Sequence, residues 1–187
     1  MIMDRAAFFA EVRKGILGPT LSPDEVSGCE VIMDAMAGLP RSWCAYALAT
    51  AYHETARTMQ PVREAYWLSE SWRKANLRYW PWYGRGYVQL TWQKNYQRAD
   101  EKLGLGGTLL ANADRAMELD IAAQIMRRGM VEGWFTAHTL GKHLPDRLGT
   151  IPQYEGARRI INGTDKAHSI AVYAMQFQDA LIAGGWA

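Results

Sequence analysis

Residues 40–54 read PRSWCAYALATAYHE, and this stretch decides the fold class. Trp43, Ala47, Leu48 and Ala51 recur at three- and four-residue steps, the spacing of one face of an α-helix, and Pro40 stands where a helix opens. Glu54 falls on the same face, so a carboxylate closes an apolar stripe. Upstream, Ser22-Pro23-Asp24-Glu25 supplies an N-cap, a proline for the first helical position and a capping-box glutamate, which predicts a helix from Pro23 to about Ala37, stopped at Gly38.

Downstream the helical period returns several times. It predicts helices over Trp92–Lys102, ended by Gly104, Gly106 and Gly107, then over Met117–Trp134 beyond a loop around Asn112, and over Gln153–Ile161, stopped by Gly163. A last helix is expected after Asp165 as N-cap, with Ile170, Tyr173, Phe177 and Leu181 on its core face and Gly184-Gly185 at its end. From Arg57 to Tyr83 the period is lost, and Pro61, Pro81 and many aromatic residues predict loops and short turns at the surface. Gly84-Arg85-Gly86 then reads as a tight turn into a short extended stretch, Tyr87–Leu90. There is no internal repeat, no low-complexity segment and no strand–helix alternation, so the reading is one mainly α domain with a small β element, over residues 1–187.

Composition bounds the function. The 187 residues, 49% hydrophobic, suffice for one core, and a net charge of +2 is too weak to argue for nucleic acid. Cys29 and Cys44 lie in apolar helical patterns without metal-ligand spacing and are expected to be reduced and buried. Asp4, Arg5, Glu11, Arg13 and Lys14 interrupt any apolar run of signal-peptide or membrane-span length. The chain is therefore expected to be cytoplasmic when made and without a membrane span; a monomer is expected. His53-Glu54 lacks the second histidine that a zinc helix needs, and His138, His143 and His168 are scattered, so neither a metal nor a cofactor is expected.

Glu54 and Glu64 are ten residues apart in unlike settings, one ending an apolar stripe and the other in a polar segment beside Arg63. Desolvation is expected to favour the protonated form of the first, and the arginine the ionised form of the second, which are the two states that glycoside hydrolysis requires. The bland alternative is that a helix-terminal glutamate is a cap or a solvated face. Between Tyr66 and Tyr96 lie five of the eight tryptophans and five of the nine tyrosines. Flat rings beside polar groups suit the apolar faces and polar edges of sugars, which makes Trp82 and Tyr83 candidate substrate contacts. A small aromatic core is the alternative, and Trp92 and Tyr96, at helical spacing, are expected in it.

AYHETA at Ala51–Ala56 and YGRGYVQLTWQKNY at Tyr83–Tyr96 resemble the family 19 chitinase-like glycoside hydrolases, in particular the phage and prophage endolysin branch. RRIINGTD at Arg158–Asp165 and GMVEGWFT at Gly129–Thr136 are similar to further stretches of that group, so the resemblance runs roughly from Ala45 to Ala183. It implies a lysozyme-like helical domain with a cleft between helical lobes. It also implies Glu54 as general acid and Glu64 as base of an inverting reaction, with Glu70 the runner-up because plant-type members carry the second glutamate farther along. Thr91 then holds the attacking water, Gln89, Asn95 and Asn162 contact substrate, and Arg85 and Arg159 are either cleft cations or structural partners, structure being favoured for Arg159. His53 has no necessary role in that scheme.

The implied activity is cleavage of β-1,4 bonds in peptidoglycan glycan strands, reached after release by a separate factor. Chitin is the alternative substrate, and a catalytically silent wall-binding module the alternative of another class. Retention of Glu54, Glu64 and Thr91 together argues against the silent module.

Overall fold

The computed structural model describes residues 3–187. In chain order the elements are α1 (Arg5–Val12), α2 (Pro23–Ala35), α3 (Arg41–Glu54), β1 (Val62–Arg63), α4 (Glu70–Asn76), β2 (Arg85–Gly86), α5 (Gln93–Leu103), α6 (Thr108–Ala111), a 3₁₀ turn at Ala113–Met117, α7 (Leu119–Glu132), α8 (Leu140–His143), α9 (Ile151–Ala157), a 3₁₀ turn at Arg158–Ile160 and α10 (Ala167–Ala183). The fold is mainly helical with one small sheet, as the periodicity predicts.

The centre is α3 against α10. Cys44, Ala45, Tyr46, Ala47, Leu48, Ala49 and Ala51 are all fully buried, so α3 is enclosed on every side rather than along one stripe. Its alternating alanines let neighbouring helices approach closely, and Ile170, Ala171, Ala174, Phe177, Ala180 and Leu181 of α10 complete the core, with α1 and α9 against α10 and α2 against α7. Both cysteines are free and buried among these side chains, and burial pushes their thiols well above the ordinary value. Among the described residues no helix is long and apolar enough to cross a membrane.

Local chemistry sets several boundaries. At α2 the Ser22 hydroxyl accepts from the Glu25 N–H at 3.1 Å while the Glu25 carboxylate accepts from the Ser22 N–H at 2.8 Å, the reciprocal box expected, and Gly38 takes φ +78° beyond the helix end. Helix α10 departs from expectation: its N-cap position is Lys166, at φ +55° and without a side-chain cap, not Asp165. Helices α7 and α9 are shorter than expected because the flanking chain tightens into the two 3₁₀ turns.

Two differences matter for the site. The stretch expected as loop contains α4, capped by the Ser69 hydroxyl accepting from the Trp72 N–H at 3.1 Å. Its only buried side chain is Arg73. A helix that docks through a guanidinium rather than an apolar face leaves no hydrophobic period to read. The extended segment also sits earlier than expected: Arg85–Gly86 pairs antiparallel with β1 in the register Val62↔Gly86, Arg63↔Arg85, and Tyr87–Gln89 form a turn that brings Leu90 back to Arg85. Gly86, at φ +88° and with a Cβ position 3.0 Å from the Ala116 carbonyl, allows that bend.

Candidate functional site

Glu54 ends α3 with its side chain 19% exposed. The isolated apolar setting that the stripe predicts is not what surrounds it, because Oε1 accepts from the Arg158 guanidinium at 2.7 Å. Arg158 is 1% exposed and also donates through Nε to the Asp165 carbonyl at 2.9 Å. The two elements are brought together by Tyr46, whose hydroxyl donates to the Ala157 carbonyl at 2.9 Å and whose ring stacks on Tyr154. Tyr46 and Glu54 lie eight residues apart on one face of α3, so the contact that docks α9 also aims Arg158 at Glu54. Glu54 Oε2 has no hydrogen-bond partner among the described residues.

Arg159 is the expected structural arginine; the buried one is Arg158, and Arg159 is exposed. The missed signal is spacing: Arg158 is four residues from the fully buried Tyr154, hence on the inner face. Asn162 follows in the exposed loop, its N–H donating to the Arg158 carbonyl at 2.9 Å. Burial holds the neighbouring His53 below the ordinary imidazole value, with Glu54 acting against it and Arg158 with it.

Glu64 follows β1, and both its oxygens accept hydrogen bonds: Oε1 from the Tyr79 hydroxyl at 2.6 Å, Oε2 from the Gly84 N–H at 2.9 Å. A side chain at Gly84 would put its Cβ 3.2 Å from that oxygen and 2.7 Å from Gln89 Oε1, so glycine is what lets the carboxylate reach the backbone. Burial, and then the bond to Glu64, push the Tyr79 phenol up to about 12, which keeps it a donor. Arg73 secures the loop by donating to the Glu64 and Ala65 carbonyls at 2.8 and 3.1 Å.

Close by, Gln89 takes φ +53° and donates to the Val62 and Gly86 carbonyls at 3.0 and 3.3 Å. The Thr91 hydroxyl donates to the Gln89 carbonyl at 2.8 Å, and the Asn95 amide to the Thr91 carbonyl at 2.8 Å. These three polar residues thus form one hydrogen-bonded run beside the hairpin, with the Thr91 oxygen still able to accept. Glu54, Arg158 and Asn162 form a separate group, and no hydrogen bond joins the two among the described residues.

Glu70 is held differently. Trp80 Nε1, the Tyr83 hydroxyl and Arg73 donate to it at 3.0, 2.8 and 3.1 Å. Burial pushes its carboxyl up, but these bonds and the arginine charge outweigh it and hold Glu70 below the ordinary value. It lines a surface cavity of about 540 Å³ with Arg63, Tyr66, Arg73 and Asp114.

Tyr83, expected as a substrate contact, and Arg85, expected as either a cleft cation or a structural partner, are both interior. Tyr83 is 1% exposed, donates to Glu70, and carries the Arg85 and Arg73 guanidinium groups 3.6 and 5.4 Å from its ring centre, so its ring does not face a sugar. Arg85 is 4% exposed and donates to Asp114, to the Pro81 and Tyr83 carbonyls and to the Tyr96 hydroxyl. A guanidinium so engaged braces the hairpin. Trp82 is half-buried against Tyr96 at 5.3 Å between ring centres. Tyr96 is in the core as expected, whereas Trp92 is 41% exposed and rests on Tyr79.

Asp114 bridges Arg85 and Arg63 at 2.8 and 3.0 Å. Burial pushes its carboxyl up, yet the two arginines hold it below the ordinary value of 3.8. A depressed folded-state value contributes stability that is present above the unfolded value and lost as the pH falls through the folded one. Asp114→Asn should therefore lower stability by about 1–2 kcal/mol near neutrality, allowing for screening at its exposed side. The gap to the unmodified chain should close below 3.8, as urea melts across pH will show; a gap constant with pH would contradict the assignment.

No known family profile matches the chain. Over 95 residues, 44% of its length, it is 34% identical to the acidic endochitinase pcht28 of Solanum chilense, and it spans about a third (36%) of that relative. Among solved structures it resembles chitinase C from Streptomyces griseus with a TM-score of 0.65 at 19% identity, over 96% of this chain and 76% of that one. It also resembles a bacterial family 19 chitinase, described as differing from the plant enzymes, with a TM-score of 0.57 at 20% identity over 97% and 95%. The helices that enclose α3, and the short hairpin beside Glu64, thus form the fold seen in family 19 chitinases.

Proposed function

We propose that the protein is an endolysin-type glycoside hydrolase that cuts β-1,4 bonds of bacterial peptidoglycan with inversion. The observation that carries the proposal is the different tethering of two carboxylates: Glu54 keeps one oxygen without a partner, while Glu64 is clamped at both. In this reading Glu54 Oε2 delivers a proton to the leaving glycosidic oxygen. Glu64 takes a proton from a water that the Thr91 oxygen also holds, and the water attacks the anomeric carbon from the opposite face. The water requires the two carboxyl groups about 6.5–9.5 Å apart, the spacing of inverting enzymes.

The hydrolase reading is supported by the chitinases that the chain resembles, and the wall substrate by the endolysin-like motifs. In this reading the chain is made in the cytoplasm and a separate factor gives it access to the wall. A chitinase is the second reading, favoured by the same relatives.

Purified chain should clear a suspension of permeabilised Gram-negative cells and release soluble glycan fragments identifiable by mass spectrometry. Release of oligosaccharides from chitin but none from purified sacculi would favour the second reading. NMR of the first-formed anomer tests the stereochemistry: β product from β substrate means retention, and removes the water-holding role of Thr91. Thr91→Ala should cost about 1–3 kcal/mol of transition-state stabilisation, the worth of one hydrogen bond in the reaction. Unchanged kcat/KM in that variant takes Thr91 out of the site.

A further inference from the structure

Residues 66–94 carry five Lys and Arg against one acid, whereas the whole chain nets only +2. Their partners separate them into two kinds. Arg73 and Arg85 are buried and spent on Glu70, Asp114 and backbone carbonyls. Lys74, Arg78 and Lys94 are exposed, and their side chains have neither an ion pair nor a hydrogen bond among the described residues. Glu70, four residues before Lys74 and positioned to pair with it, turns instead to Arg73, Trp80 and Tyr83.

Two of these three, Lys74 and Arg78, each lie over an exposed indole. Lys74 Nζ is 5.0 Å from the centre of the Trp80 ring, and the Arg78 guanidinium carbon 5.2 Å from that of Trp92. Trp80 and Trp92 are 37% and 41% exposed. Tyr79 links this strip to the site, with its ring 4.9 Å from Trp92 and its hydroxyl on Glu64. Arg78 therefore stands two side chains away from a proposed catalytic carboxylate.

We infer that Lys74 and Arg78 are specificity residues that read carboxylates on an acidic glycan as its sugar rings lie on Trp80 and Trp92. An uncharged polymer of N-acetylglucosamine uses the rings but gives the cations nothing to bind. A strand whose stem peptides carry free carboxylates uses both, and a charge-assisted hydrogen bond is roughly twice as strong as a neutral one. The inference rests on the wall-hydrolase reading and names the feature of the strand that this part of the surface selects.

Retention of a Glu54→Gln chain, which should bind without cutting, tests it on purified sacculi, on sacculi whose carboxyl groups have been amidated, and on chitin. Retention should be about tenfold weaker on amidated than on native sacculi. Adding Lys74→Gln and Arg78→Gln should cause the same loss on native sacculi and none on chitin, whereas Lys74→Arg with Arg78→Lys should keep retention. Equal retention on native and amidated sacculi overturns the inference, as does equal loss by the charge-preserving pair, which would point to altered ring packing. Binding to anionic phospholipid vesicles with none to sacculi also overturns it, in favour of a membrane surface. Unmodified chain is assayed for cleavage alongside: charge-dependent retention without cleavage sinks the hydrolase reading while supporting this one, and cleavage without charge dependence does the reverse.

Discussion

Glu54→Gln should reduce lysis of permeabilised cells by at least about a hundredfold while the chain stays folded. The amide oxygen can still accept from Arg158, which otherwise becomes a buried cation left with only the Asp165 carbonyl. What disappears is the transferable proton. Circular dichroism should therefore show the native helix content, and kcat, more than KM, should carry the loss, because the missing interaction exists only as the leaving oxygen gains its proton. Near-normal lysis by this variant would end the proposal that Glu54 is the general acid.

Glu64→Gln should be as damaging, with activity down at least about a hundredfold, and Glu70→Gln should be mild. The comparison is pointed because Glu70 lines the 540 Å³ cavity and Glu64 does not, while Glu64 is joined to the Gln89–Thr91–Asn95 run through the Gly84 hairpin. Glu64→Gln carries a structural cost as well. Both oxygens accept, so in the amide the oxygen must keep the Gly84 N–H and the NH₂ must turn to the Tyr79 hydroxyl, which has to rotate from donor to acceptor. Exchanging two bonds to a carboxylate for neutral ones costs about 1 kcal/mol.

Tyr79→Phe leaves that NH₂ without its acceptor, so in the Glu64→Gln background it should lower stability further, whereas in the unmodified background, where the base is kept, it should cost far less activity than Glu64→Gln. That separates the lost base from the disturbed loop. Because bonds and a charge hold Glu70 below 4.5, its contribution to stability is present above that value and is lost as the pH falls through the lower folded one. Glu70→Gln should thus differ from the unmodified chain near neutrality and converge with it in acid. If instead Glu70→Gln abolishes lysis and Glu64→Gln spares it, Glu70 is the base.

Features decided within a turn of chain are legible from the order of residues. Ser22 and Glu25 cap α2 wherever it packs, Gly38 ends it, and the alternating alanines after Trp43 make α3 a helix that neighbours can enclose. The buried thiols of Cys29 and Cys44 and the core face of α10 follow from the same short-range periodicity. Helical periodicity also put Glu54 at the end of α3 and Asn95 in α5, whereas Gln89, expected in an extended stretch, lies in a turn.

Tertiary structure alone decided which charges meet. Arg158 reaches Glu54 across 104 residues because Tyr46 docks α9 onto α3, and nothing local distinguishes it from Arg159 except its register with Tyr154. Tyr83 and Arg85 sit in a motif that suggests contact with substrate. They are interior because Asp114, 29 residues after Arg85, supplies the anion that makes burial of that guanidinium affordable. Helix α4 stayed hidden for the same reason, since Arg73 holds it in place by hydrogen bonds to the Glu64 and Ala65 carbonyls. Apolar periodicity is written along the chain, whereas a buried charge is stable only where a distant partner arrives, and that arrival is a property of the packed molecule.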